Sequence, residues 1–334
     1  MKFGNLFKNT IFYGLITILP RVLNLVLTPL HIDNFLKSEY GIYQGIFAYL
    51  ILGNVFLAYG METAFFRFAN KESDFKRVES TALTSLFATT LGVLGIVWLL
   101  KLPISNAINY PTEFVSYAIF ILGLDTLCVI PFAWLRNRGK SLVYALLKLL
   151  NISVNLGLNL FFFLALPYLL KENDFWQWAE APNKIHYVFI ANLVASLVTL
   201  IGFLPLILRI GFQFDFSLWR RMFRYAFPIF IAGIAFSINE AFDRIFIRMF
   251  SDAASADEMV GIYAACYKMG VFMTLFITAY KLGVEPFFFR EASNQNAPRT
   301  YAKITEFFTI SGASILLIVS VYVDVFKRIL IPNH

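Results

Sequence analysis

The sequence predicts an all-α polytopic membrane protein built from two related halves, and three observations carry that prediction. Apolar residues make up 59% of the 334 and charged residues 15%, a balance outside the range of ordinary soluble domains. Nine mainly apolar segments recur along the chain, each near the length of about 20 residues that a helix needs to cross the hydrocarbon core. Finally, Gly41-Ile42-Tyr43, Ala58-Tyr59, Glu62 and Phe65-Phe66-Arg67 return as Gly261-Ile262-Tyr263, Ala279-Tyr280, Glu285 and Phe288-Phe289-Arg290. A period of 220 positions is far too long for a solenoid unit and suits a transporter made of two halves.

The spans are expected at 10–30, 42–66, 80–100, 114–135, 142–170, 185–208, 225–249, 260–284 and 304–326. The first is too long for a signal peptide and lacks a small-residue cleavage site. No ten-residue strand alternation recurs, which argues against a transmembrane barrel. Counting Lys and Arg in alternate loops gives 16 on one side and seven on the other, so the N-terminus is expected in the cytoplasm. The net charge of +7 is scattered through short loops; it reflects topology and not a nucleic-acid surface. Residues 209–224, with Gln213, Asp215 and Trp219, form the most polar cytoplasmic connection. They are expected to be an amphipathic linker between a six-helix lobe (1–208) and the first three helices of a second lobe (225–334). Since a half occupies about 220 residues, a complete pair needs roughly 440, and the second lobe is expected to lack three or more helices. The segment Phe175 to Ala181 (FWQWAEA) is expected to anchor an outer loop at the headgroups.

Five cations fall inside spans: Arg21, Lys148, Arg244, Lys268 and Lys281. Left uncompensated they would cost on the order of 12 to 17 kcal/mol together, so they should face protein or water. Arg21 follows Pro20, with Asn24 and Thr28 at helical spacing. Lys148 opens a stripe continued by Asn151, Asn155 and Asn159. Glu240 and Arg244 are i, i+4 neighbours able to pair, with Asp243 adjacent, and Lys268 shares its span with Lys281 and Glu285. Together, Arg21, Asn24, Lys148, Asn151, Asn155, Arg244 and Lys268 are the candidates for holding an anionic head group in a wet cavity. Lys281 has the alternative of snorkelling to the interface, and Arg244 that of a structural pair. Glu62, Asp125, Glu240, Asp243, Lys281 and Glu285 are candidate gate or ion-coupling groups. Glu62 and Glu285 sit beside Arg67 and Arg290 and read first as gate or interface ion pairs, while isolated Asp125 reads first as the neutraliser of a cation on another helix. Cys128 and Cys266 lack CxxC spacing and read as small apolar residues; His31, His186 and His334 are dispersed, so no metal is expected. No phosphate loop, zinc-protease or hydrolase signature occurs, so the energy source is expected to be an H+ or Na+ gradient or another protein.

Pro20-Arg21-Val22-Leu23-Asn24-Leu25 through Pro29, followed by Tyr40-Gly41-Ile42-Tyr43, resembles the opening of the polysaccharide biosynthesis flippase family in the MOP exporter superfamily. Tyr225 to Pro228 (YAFP), Asp243-Arg244 and Gly261 through Lys268 resemble that family's seventh and eighth helices. The resemblance implies a MATE-like, two-lobe bundle of about 12 to 14 helices around a cationic cavity. It further implies an inner-membrane flippase for undecaprenyl-pyrophosphate-linked oligosaccharides, with no enzymatic activity of its own. Arg21 matches the family's first-helix arginine, and Lys268 its GxYxxAYK-like motif. Membrane lipids, polysaccharide polymerase and glycosyltransferases are the partners implied. Two rival readings are a cation-coupled multidrug exporter of the same superfamily and a membrane-embedded glycan-assembly enzyme.

Overall fold

A computed structural model describes residues 3–72, 74–172, 174–291 and 297–331; side chains at 3–17, 21, 174, 178, 279, 281–291, 297 and 300 fall outside the description. Every regular element among these residues is helical: α1 (Phe3–Asn34), α2 (Lys37–Ala58), α3 (Met61–Lys71), α4 (Phe75–Leu99), α5 (Lys101–Ile108), α6 (Thr112–Leu127) and α7 (Val129–Asn137). They continue with α8 (Ser141–Leu160), α9 (Leu166–Glu172), α10 (Ile185–Ile210), α11 (Phe216–Phe250), α12 (Ala256–Glu291), α13 (Ala297–Val321) and α14 (Val323–Leu330). Eight stretches among the described residues are long and apolar enough to cross a membrane, and they coincide with the second to ninth expected spans. The first expected span lies within α1, a continuous 32-residue helix that runs through Pro20 and Pro29. The chain is a multi-pass membrane protein.

Four expected spans are not single straight helices; one of them, 304–326, breaks at Tyr322, between the end of α13 at Val321 and the start of α14 at Val323. The stretch 42–66 breaks after Ala58, where Tyr59 (φ 34°) and Gly60 (φ 72°) are both left-handed. Gly60 supplies that conformation without the steric cost a Cβ carries, and a Cβ there would also lie 2.6 Å from the Ala226 carbonyl of α11. The stretch 114–135 is interrupted at Cys128, between α6 and α7. In 142–170 a π-helical turn, Phe161–Ala165, joins α8 to α9; such turns widen a helix by one backbone unit.

Contacts divide the chain into two units, residues 35–261 and residues 1–34 with 262–334. This grouping cuts across the sequence division into 1–208, 209–224 and 225–334, which describes the repeat rather than contact. In the first unit α10 packs against α8 and α6, and α11 lies along α2. Its interior holds Phe65, Phe189, Phe203, Leu83, Leu86 and Met222, all fully buried; Phe189 stacks on Phe114 and Tyr117 at 5.3 and 5.8 Å. In the second unit α14 packs on α1 and α13. Leu316, Leu317 and Val321 of α13 are exposed, as expected of a helix whose solvent is lipid.

The 209–224 connection contains little loop. The α10 helix ends at Ile210, Gly211 takes a positive φ, and α11 begins at Phe216. Asp215 caps α11, its carboxylate accepting from the Leu218 amide at 3.0 Å, the usual way of satisfying an exposed first-turn N–H. The same carboxylate pairs with Arg77 of α4. Thr84 donates to the Gln213 carbonyl and the Asp215 amide donates to Thr81, each at 3.3 Å. The expected linker is therefore a short strap fastened to α4.

Candidate functional site

The candidates separate by unit. In the unit containing α1 and α12, Lys268 is 6% exposed, and its ammonium donates to the Asn24 side-chain oxygen at 3.1 Å. Thr28, one turn along α1, is buried and donates to the Asn24 carbonyl at 2.7 Å, which fixes that face of the helix. Two head-group candidates 244 positions apart thus meet directly. Arg21 belongs to the same helix three residues before Asn24, nearly one turn away; its side chain, like those of Lys281 and Glu285, lies outside the described residues. The α12 backbone carries Lys281 about 20 Å along the helix from Lys268.

Within residues 35–261 the polar stripe of α8 is met by protein. Lys148 shares an electrostatic interaction with Asp125 of α6 and lies 4.1 Å from the centre of the Phe132 ring of α7. Asp125 in turn accepts from Ser196 of α10 at 2.6 Å. Asn151 donates to Thr199 at 3.0 Å, and Asn159, fully buried, donates to the Asn155 carbonyl and side-chain oxygens at 2.8 and 3.1 Å. The α8 stripe thus bonds across to α10 and along its own helix. A buried charge is tolerated when paired and hydrogen-bonded in this way.

Arg244 is 7% exposed. Its guanidinium reaches the Glu240 carbonyl oxygen at 3.5 Å, and its amide donates to Asp243 at 2.8 Å. It also interacts electrostatically with buried Tyr43 of α2. Glu62 does not use its neighbour Arg67: it pairs with Arg136 of α7, while Arg67 lies 4.1 Å over the Tyr225 ring of α11. Glu62 and Arg67 both lie on α3, five residues apart, which puts them on different faces of the helix. Both members of the Glu62–Arg136 pair are about a third or more exposed, so solvent screens it. Glu72 and Arg221, at 2.8 Å, join α3 to α11. Among the described residues no cluster of His, Cys, Asp and Glu can hold a metal ion.

Sequence reasoning missed one constellation. Arg248, in the last turn of α11, donates to the Asn109 carbonyl at 2.6 Å, pairs with Asp257 at 3.2 Å and lies 3.4 Å over the Tyr110 ring. Its partners come from separate turns and helix ends, and nothing in their spacing signals the meeting.

Residues 6–292 match the sequence profile of the family described as polysaccharide biosynthesis protein. The chain belongs to that family. Among solved structures, the fold resembles an inward-facing multidrug resistance transporter of the MATE family and MOP superfamily, with TM-score 0.61, 14% identity, and coverage of 94% of this chain and 71% of that one. A MATE mutant crystal structure aligns with TM-score 0.59 and 12% identity over 98% of this chain and 76% of that one. Comparison with curated proteins returns no match. This polysaccharide biosynthesis family member therefore has the MATE-like, all-α fold that its sequence predicts.

Proposed function

We propose that this chain is a flippase that moves lipid-linked oligosaccharide repeat units, carried on undecaprenyl pyrophosphate, across the bacterial inner membrane by alternating access. The N-terminus is cytoplasmic in this reading. Family membership and fold support it, and the observation that carries it is the buried Lys268 held by Asn24 of α1, one turn from Arg21. A cation kept inside a membrane helix is a costly feature, and two cations on neighbouring helices suit the two charges of a diphosphate. Arg244 and Lys148 belong to the other unit, where Asp125 already offsets the charge of Lys148.

The head group is thus assigned to Arg21, Asn24 and Lys268, with H+ or Na+ coupling through acids elsewhere in the bundle. Glycosyltransferases supply the lipid-linked glycan and a polymerase consumes it. The test is surface-polysaccharide export from cells expressing Lys268→Ala or Arg21→Ala at normal levels. Both variants lose export while remaining in the membrane; full export in both sinks the assignment. The multidrug reading draws on the likeness to a multidrug resistance transporter. Drug resistance conferred by the wild-type chain, without glycan export, would select it.

A further inference from the structure

Four segments of the unit 35–261 converge on one face: the start of α2, the turn between α5 and α6, the end of α11 and the start of α12. Their helix backbones touch. A Cβ on Gly41 would collide with the Asp257 carbonyl and lie 3.0 Å from the Gly261 nitrogen, and a Cβ on Gly261 would collide with the Lys37 carbonyl. Two glycines at equivalent places in the repeat thus pack against each other, the small-residue approach that lets membrane helices cross closely. On the same α2 helix, Gly45 gives way to the Tyr110 hydroxyl, and Tyr49 meets the Tyr110 ring edge-on at 6.2 Å.

Arg248 ties the remaining pieces together. Its side chain is 13% exposed and that of Asp257 25%, so the pair is largely withdrawn from water. The guanidinium also caps the Asn109 carbonyl at 2.6 Å, where Asn109 takes a left-handed φ of 53°. Burial keeps the Tyr110 phenol above its ordinary pKa, so a neutral ring faces the cation. One buried atom of this cluster, Arg248 Nη1, has no hydrogen-bond partner among the described residues, while Asp257 Oδ1 faces Arg248 Nη2 at 3.2 Å. A largely desolvated ion pair with an unsatisfied donor regains water when it parts, which offsets much of the attraction it loses. Lys37 and Glu258, at 3.8 Å, are 44% and 50% exposed and contribute little.

We propose that Arg248, Asp257 and the Gly41–Gly261 crossing form a releasable latch that holds this face shut, with the α11–α12 turn as its moving arm and the α5–α6 turn as its catch. The latch stands independently of the flippase reading, since its test needs no substrate. Hydrogen–deuterium exchange of the purified chain in lipid nanodiscs should show residues 106–112 and 252–261 opening together, with one shared rate. Arg248→Ala should speed exchange in both segments about tenfold, and Gly261→Ala should do the same by wedging the crossing apart. Lys37→Ala should leave both unchanged. Should Arg248→Ala fail to fold, Arg248→Lys and the near-isosteric Asp257→Asn give the same readout with smaller increases. Independent exchange of the two segments, or wild-type rates at 106–112 in folded Arg248 and Asp257 variants, would overturn the proposal.

Discussion

The two copies of the repeat use the same opening and then diverge at two places. In the first, Ala58-Tyr59 leads into a left-handed corner and Glu62 follows three residues after Tyr59; in the second, Ala279-Tyr280 continues as helix and Glu285 follows five residues after Tyr280. The two extra residues, with Lys281 in the position of Gly60, coincide with the loss of the corner. The other difference concerns charge. Lys268 stands where the first copy has Ala48, and Ala48 has no exposed surface. A shared scaffold thus bends in one half and carries a buried cation in the other, which separates what shapes the bundle from what the bundle holds.

The most severe way to break this comparison is to insert two residues after Tyr59, giving the first copy the spacing of the second. Continuing the helix would drive α3 off α11, and we expect no folded protein by size-exclusion chromatography in detergent. Next comes Lys268→Ala, which gives the second copy the residue of the first. Export should fall below detection with melting temperature and membrane level preserved, because a costly charge is removed rather than a packed side chain. A smaller effect is expected for Gly60→Ala, which adds a Cβ at positive φ beside the Ala226 carbonyl. It should cost about 2 kcal/mol, read as a lowered melting temperature, whereas Gly270→Ala within the continuous α12, where an added Cβ meets nothing within 4 Å, should be neutral or stabilising by up to about 1 kcal/mol. Equal losses at both glycines would mean that the corner does not depend on Gly60. The mildest variant is Glu62→Gln. Its screened pair with Arg136 predicts a loss below about 1 kcal/mol, and a larger one would show that α3 relies on that contact more than its exposure suggests.

Much of the fold was legible because span length and apolar content are set by the bilayer alone. Boundaries within spans were less so. The Tyr59–Gly60 corner is a response to the approach of α11, a tertiary fact that an apolar run does not record. In the site, a lysine inside a span announced itself by cost, but the group that meets it lies on another helix: Asp125 meets Lys148, and Asn24 meets Lys268. The pairing of Glu62 with Arg136 and the gathering of Arg248, Asn109 and Asp257 were invisible for the same reason. Each joins residues whose separation in sequence carries no period.

The strap at 211–215 has a mechanical consequence. Because Asp215 both caps α11 and grips Arg77, while Gln213 and the Asp215 amide are held by Thr84 and Thr81, this joint has little slack. A slack joint would let α11 swivel while α4 stood still; this one behaves as a gear tooth, so torque on α11 is delivered to α4.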